Sequence, residues 1–432
     1  VFSKCNALTS VTISNSVTTI RENAFSSCDS LESIEIPDSV AIIMDGAFSG
    51  CGRLESITLP DTVTSLGPSI FKNCTGLKNI TLPNNIKTIP NEAFSGCALL
   101  TDIAIPSTVV SIGISAFEEC SIIENIVIPD TVKSIGKCAF KDCRKLKSLD
   151  IPSAVSSIED STFEGCKAIE SITIPNTVTS IGSRAFLYCS SLKDVTIPDG
   201  VTSLGGSAFE RCSSLQKIVV PSTVTSVGNG VFSGCSSLES ADILAQVEEL
   251  PIDMFRVCRK LKSVKLPDTI TKIDNSAFYY CESLESIDIP DSVLTLGYLA
   301  FNNCSSLTDV KLSSNLITIG PETFANCSQL KSIVIPDSVN TVKNLAFDEC
   351  TLLENITIPA SVKDIEFGAF DNTAWIKNEI SKNTIVVVNG MLLDGSACRG
   401  DYVIPNTVTS IAQSAFLDNV SLKSITIPDT VS

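Results

Sequence analysis

Apolar positions along the chain recur every 23 residues. Phe fills one slot at Phe2, Phe25, Phe48 and every 23rd position through Phe370; Leu393 takes the next slot, and Phe416 returns in register. Counted from Phe186, apolar residues follow at Cys189, Leu192, Val195, Ile197, Val201 and Leu204, and Ala208 precedes the next Phe. Self-similarity at one fixed period of this length predicts a solenoid, in which no unit buries its own apolar face and stacking completes the core.

Within the unit, two alternations and one compact motif predict the elements. The segment L-x-x-[IV]-x-[IL]-P alternates at Val195 and Ile197, the signal of a half-buried strand. Proline then stops it, at Pro37, Pro60, Pro83 and onward to Pro221, because proline cannot donate to a ladder. Asp, Asn or Ser follows and closes a turn. The segment V-T-S-I-G reads as a shorter extended stretch. Its glycine (Gly113, Gly136, Gly182, Gly205, Gly228) stands where a turn calls for positive φ. A-F-x-x-C reads as one helical or 3₁₀ turn with Ala, Phe and Cys pointing inward. Stacked coils about 4.8 Å apart then pair each strand with the next.

The pattern L-x-x-I-x-I-P-x-x-V-T-x-I-G-x-x-A-F-x-x-C, seen from Leu54 through Ile57, Leu59, Pro60, Val63, Leu66 and Gly67, resembles the BspA-like branch of the leucine-rich repeat family. The resemblance implies a curved right-handed solenoid with a concave parallel β-sheet and short extended or 3₁₀ segments on the other faces. It also implies a cell-surface or secreted protein of adhesion or recognition. The motif residues are core residues, so the resemblance speaks to fold more than to function.

Two regions depart from the pattern. Ala241 and Leu244 replace the expected Ile or Val and Pro, and the next coil is basic, with Arg256, Arg259, Lys260, Lys262, Lys265 and Lys272. This contrast reads as a ligand patch or as a run of inter-coil ion pairs. Ser313 also replaces proline. Asp371–Ile404 is an irregular island holding the sole Trp, Trp375, and Asn389-Gly390 between Ile385–Val388 and Met391–Leu393, a hairpin signal. The organisation expected is a repeat array over 1–370, the island over 371–404 and resumed repeats over 405–432, as one continuous domain. Both ends fall within a repeat, which reads as a segment of a longer protein.

Charge and chemistry narrow the function. With 31 basic and 48 acidic residues the chain is formally −17, which disfavours nucleic acid and anionic lipid. No apolar run approaches the roughly 18 residues of a membrane span. The chain has no His, which removes His-based nucleophile pairs, general bases and most catalytic zinc sites. No enzyme activity, metal or cofactor is expected. Of 18 cysteines, 16 sit three residues after a repeat Phe; all but Cys138 and Cys398 form this ladder. Buried, reduced thiols are expected there, with Cys138 the most exposed.

The outward strand slots supply the candidate binding face: Thr58, Thr81, Thr173, Thr196, Asp242, Lys265, Asp288 and Lys311, with Lys262 beside them and Trp375 and Tyr402 from the island. The expected partner is a protein ligand or a host surface or matrix component. A passive spacer that displays another domain, and a glycan-binding module, are the alternatives; the strand slots carry no aromatic residue to stack on a sugar. Oligomeric state stays open.

Overall fold

The structure, a computed structural model, describes residues 1–432 as two compact units, Val1–Cys235 and Ser236–Ser432. Each is a stack of 23-residue coils, and the chain makes about 18 turns of a parallel-strand β-solenoid. The strand before proline pairs in register with its equivalent: Ser56 with Asn79, Ile57 with Ile80, Thr58 with Thr81. Ile57 is buried and Thr58 exposed, so alternation separates core from surface. Over coils 120–200 this ladder thins to single bridges, such as Asp150 with Thr173. The V-T-S-I segment forms a second parallel ladder, exemplified by Ser180 with Ser203 and Ile181 with Leu204.

Proline ends the first strand as expected, and its carbonyl closes the turn: Val63 N–H donates to Pro60 O at 3.0 Å. The hydroxyl two residues past proline reaches across coils. Thr62 Oγ1 donates to Val40 O at 3.0 Å. Where Ser313 replaces proline it is fully buried, and its hydroxyl donates to Asp291 O and accepts from Asn315 N–H.

The Phe corner differs from the helical or 3₁₀ turn expected there. It is a chain of i→i+3 turns in which the residues two before and two after Phe take positive φ: Asn23 and Ser27 around Phe25, Arg184 and Tyr188 around Phe186. This geometry aims alternate N–H groups at the next coil. Asn23, Phe25 and Ser27 donate to Asp45, Ala47 and Ser49 carbonyls at 2.9, 2.8 and 2.7 Å. The corner is therefore a third hydrogen-bonded face. Its ladder energy offsets the strain of left-handed residues as bulky as Val257.

The glycines that end V-T-S-I-G correct a second expectation. None of Gly113, Gly136, Gly182, Gly205 or Gly228 has positive φ. They answer instead to close approach of the coil before: a Cβ on Gly205 would stand 2.3 Å from Ser183 N and 2.6 Å from Gly182 C.

Inside, Phe rings stack coil on coil with centroids from 5.0 Å (Phe278–Phe301) to 5.8 Å (Phe71–Phe94). Each buried ring contributes roughly 1.5–3 kcal/mol. The cysteines are free thiols, and they do more than fill space. Cys51, Cys74 and Cys97 donate Sγ–H to the carbonyls of Phe25, Phe48 and Phe71 at 3.2, 3.0 and 3.2 Å. The pattern repeats up the ladder, as in Cys212 to Phe186 and Cys350 to Phe324. Burial pushes the Cys97 and Cys235 thiols up to about 12. Cys5 is exposed and Cys138 half-buried, so Cys138 is not the most open thiol.

In the second unit the irregular coil keeps its ladder. Ser240, Ala241 and Asp242 pair with Ser263, Val264 and Lys265, and Ala241 is buried. The island opens with helix α1, Ala374–Lys382, N-capped by Thr373, whose Oγ1 accepts from Ile376 N–H at 3.1 Å. Trp375 meets Phe370 edge-on at 5.2 Å, where the Phe stack stops. The hairpin forms as read: Val386–Val388 runs antiparallel to Met391–Asp394, with Asn389 and Gly390 both at positive φ. Met391 and Leu392 then pair parallel with Ser410 and Ile411, and Gly400–Val403 pairs with Leu422–Thr426. A small core of Leu392, Ile404, Val408 and Ala415 joins these elements.

Candidate functional site: the outward strand face

Each outward slot is positioned by the buried residue beside it. Because Ile57, Ile80 and Ile172 point inward, Thr58, Thr81 and Thr173 point out and are exposed; Thr196 is exposed beside buried Ile197. These threonines make a flat surface without charge. In the second unit the same slot is charged in four successive coils: Asp242, Lys265, Asp288 and Lys311 are all exposed, whereas in the first unit its charges, Glu35 and Asp150, stand apart. Asp242 lies opposite Lys265, and Asp288 opposite Lys311.

The basic coil does not present its charges together. Lys262 is held by Glu239 of the preceding coil at 3.1 Å, an inter-coil pair that recurs as Lys78–Glu55, Lys147–Glu124 and Lys193–Glu170. Lys272 pairs with Asp274 at 2.9 Å. Arg259 pairs with Glu282, and Arg256 lies 3.8 Å from Asp253. Both arginines sit on the Phe corner, over Tyr280 and Tyr279 at 5.4 and 5.7 Å. Lys265 and Lys311 are in no ion pair, so they remain available on the strand face.

Lys265, Asp288 and Lys311 share an open depression of about 580 Å³ with Asp268 and Asp291. The last two follow proline, a position read from sequence as a turn closer alone. Asp291 accepts from Ser314 N–H and Oγ–H at 2.8 and 2.9 Å, bonds that hold its carboxyl below the usual range. Trp375 and Tyr402 lie apart from this face. Trp375 caps the Phe stack, and Tyr402 takes an inward slot opposite Ile425, half-buried against the island core. No three His, Cys, Asp or Glu side chains gather as a metal site, and no helix is long and apolar enough to cross a membrane.

Strand, proline corner and Phe corner in a 23-residue coil define a leucine-rich repeat solenoid. The chain belongs to the BspA type leucine-rich repeat family, whose model matches residues 1–124, 110–239, 226–353 and 318–432. Proteins of this repeat class are generally protein-interaction or recognition modules. The structure of a leucine-rich repeat protein from Bacteroides ovatus is similar over 95% of this chain and 88% of that one, at 26% identity and a TM-score of 0.60. A leucine-rich cell surface protein from Faecalibacterium prausnitzii is similar over 90% and 83%, at 27% identity and a TM-score of 0.43. A leucine-rich repeat protein from Eubacterium ventriosum is similar over 80% and 84%, at 24% identity and a TM-score of 0.44. No curated protein matches the chain.

Proposed function

We propose that this chain is a non-enzymatic recognition or adhesion module of a cell-surface or secreted protein, and that it binds a protein ligand through its outward strand face. One observation carries the reading. Lys265 and Lys311 stand beside Asp242 and Asp288 without intramolecular ion pairs, while neighbouring charges such as Lys262 are neutralised within the fold. Exposed charge that no close ion pair holds within the chain favours a mixed-charge partner and speeds its encounter. The repeat core leaves such outward slots free to vary. The test is binding of the chain to immobilised extracellular-matrix and cell-surface protein preparations. Lys265→Glu with Lys311→Glu should slow association by on the order of tenfold, and salt should weaken wild-type binding. Binding with unchanged rate and salt dependence would remove the strand face from the reading. No binding at all would leave a passive spacer.

A further inference from the structure

We propose that the charged strand face of the second unit is a self-association surface whose partner is a second copy of this chain. This rests on the reading that the face binds protein, and it names that protein. Asp242, Lys265, Asp288 and Lys311 occupy the same slot of four successive coils, so their signs run minus, plus, minus, plus along the ladder. A two-fold axis lying in the face between Lys265 and Asp288 reverses that order. It sets Lys265 of one copy against Asp288 of the other, and Asp242 against Lys311. Each contact then occurs twice, as an isologous interface requires. Self-complementarity needs opposite signs at positions equidistant from the axis, and both pairs here have them.

Spacing points to the same partner. Rungs of the ladder repeat at about 4.8 Å, whereas side chains on one face of an extended peptide repeat at about 6.7 Å and turns of an α-helix at about 5.4 Å. Over four rungs those partners drift from register, and another coil ladder does not. The surface also has room for the contact. The depression is lined by Asp268, Asp288 and Asp291 together with Lys265 and Lys311, a mixed-charge seat that offers carboxylates to a lysine of the second copy and ammonium groups to its aspartates. None of the four ladder charges is in an ion pair within 4.0 Å in its own chain, although adjacent slots close theirs, as Lys262 does on Glu239.

Sedimentation velocity of the 432-residue chain alone, across concentration and salt, tests this. Wild type should form a dimer that weakens as salt rises. Lys265→Glu/Lys311→Glu makes every cross-contact acidic, and Asp242→Lys/Asp288→Lys makes every one basic. Each variant alone should lose dimer affinity by on the order of thirtyfold. Mixed together, the two should associate again, which also establishes that both are folded. The proposal is overturned if wild type stays monomeric at about 100 μM in low salt, if the acidic variant dimerises as wild type does, or if the mixture fails to associate while each variant keeps the wild-type circular dichroism. A monomeric wild type leaves binding of a different protein to be judged by the immobilised-partner assay, so the two readings fail separately.

Discussion

The two kinds of glycine in the coil should answer differently to the same pair of substitutions. At Gly205 the backbone is ordinary, but an added Cβ meets Ser183 N at 2.3 Å, Gly182 C at 2.6 Å and Ser183 Cα at 2.7 Å. All three are backbone atoms, so relief requires moving a coil. The amide of Gly205 also donates to Ile181 O at 2.8 Å, a bond that any such movement lengthens. The cost of Gly205→Ala should fall in the overpacking range, about 1–3 kcal/mol. The same slot holds Met44, Glu159 and Lys343 in other coils, so the contact opens at finite cost. At Gly230 the reverse holds. Its φ is +65, and an added Cβ finds nothing nearer than 3.5 Å. Gly230→Ala should cost about 1 kcal/mol for the left-handed backbone, and Gly230→Asn less, since asparagine tolerates that region. Thus Asn should be milder than Ala at residue 230, and no milder than Ala at residue 205. Hydrogen exchange of the inter-coil amides suits the measurement, because repeat arrays depart from two-state unfolding and exchange reads each coil locally. If Gly205→Asn proved milder than Gly205→Ala, backbone conformation would be the constraint and the close-approach argument would fail.

Three further outcomes follow from the thiol ladder and the island. Thiol labelling of native protein should modify Cys5 readily and Cys138 slowly, and leave the buried ladder untouched until denaturant is added; rapid loss of ladder thiols would contradict their burial. Burial raises most of the ladder thiols, as at Cys97 and Cys235, so the folded chain holds protons that the unfolded chain releases above about 8.5. Stability should therefore be full below that pH and fall steadily from about 9 towards 12, and an alkaline limb as flat as that of a chain with its ladder cysteines replaced by alanine would refute the assignment. Asn389 holds the island hairpin to the preceding coil by donating Nδ2–H to Pro359 O and Val362 O at 2.8 and 3.0 Å, so Asn389→Ala should cost about 2 kcal/mol locally, read by the fluorescence of Trp375 during urea unfolding.

How far the sequence speaks depends on whether a residue is chosen for its type or for its place. Phe186 is legible because only a large apolar side chain completes a stacked ring column, and the identical slot one coil away repeats the demand. Asn389-Gly390 is legible because both residues adopt positive φ more readily than others do. The Phe corner is not legible. Its left-handed slots hold Ser27, Tyr188, Val257 and Leu299, residues with no common preference, because inter-coil hydrogen bonds override local propensity. Gly205 carried the right residue for the wrong reason, since a close approach between coils leaves the same signature as a turn. On the candidate face, periodicity placed Lys265 and Lys311 outward, but it did not show that Glu239 holds Lys262 or that Arg256 and Arg259 turn to the tyrosines of another face. Those are choices among rotamers and neighbours, and a single sequence does not record them.

The coil divides its labour so sharply that neighbouring residues should differ by an order of magnitude in what they contribute. Ile57 points inward, and its buried contacts with the coils on either side are what stacking is made of. Thr58 is one peptide unit away and points to solvent, with its backbone already committed to the ladder. Replacing Ile57 with Ala should cost about 2–5 kcal/mol, because a stacked core has little room to close the hole. Replacing Thr58 with Lys should stay within about 0.5 kcal/mol, because no buried contact is lost and the new charge has solvent beside it. If Thr58→Lys destabilised the coil as much as Ile57→Ala, the outward slots would be part of the scaffold. The alternating charges at Asp242, Lys265, Asp288 and Lys311 would then have a structural cause. A small cost leaves those slots free of the fold, which is the condition for their charges to be set by a partner.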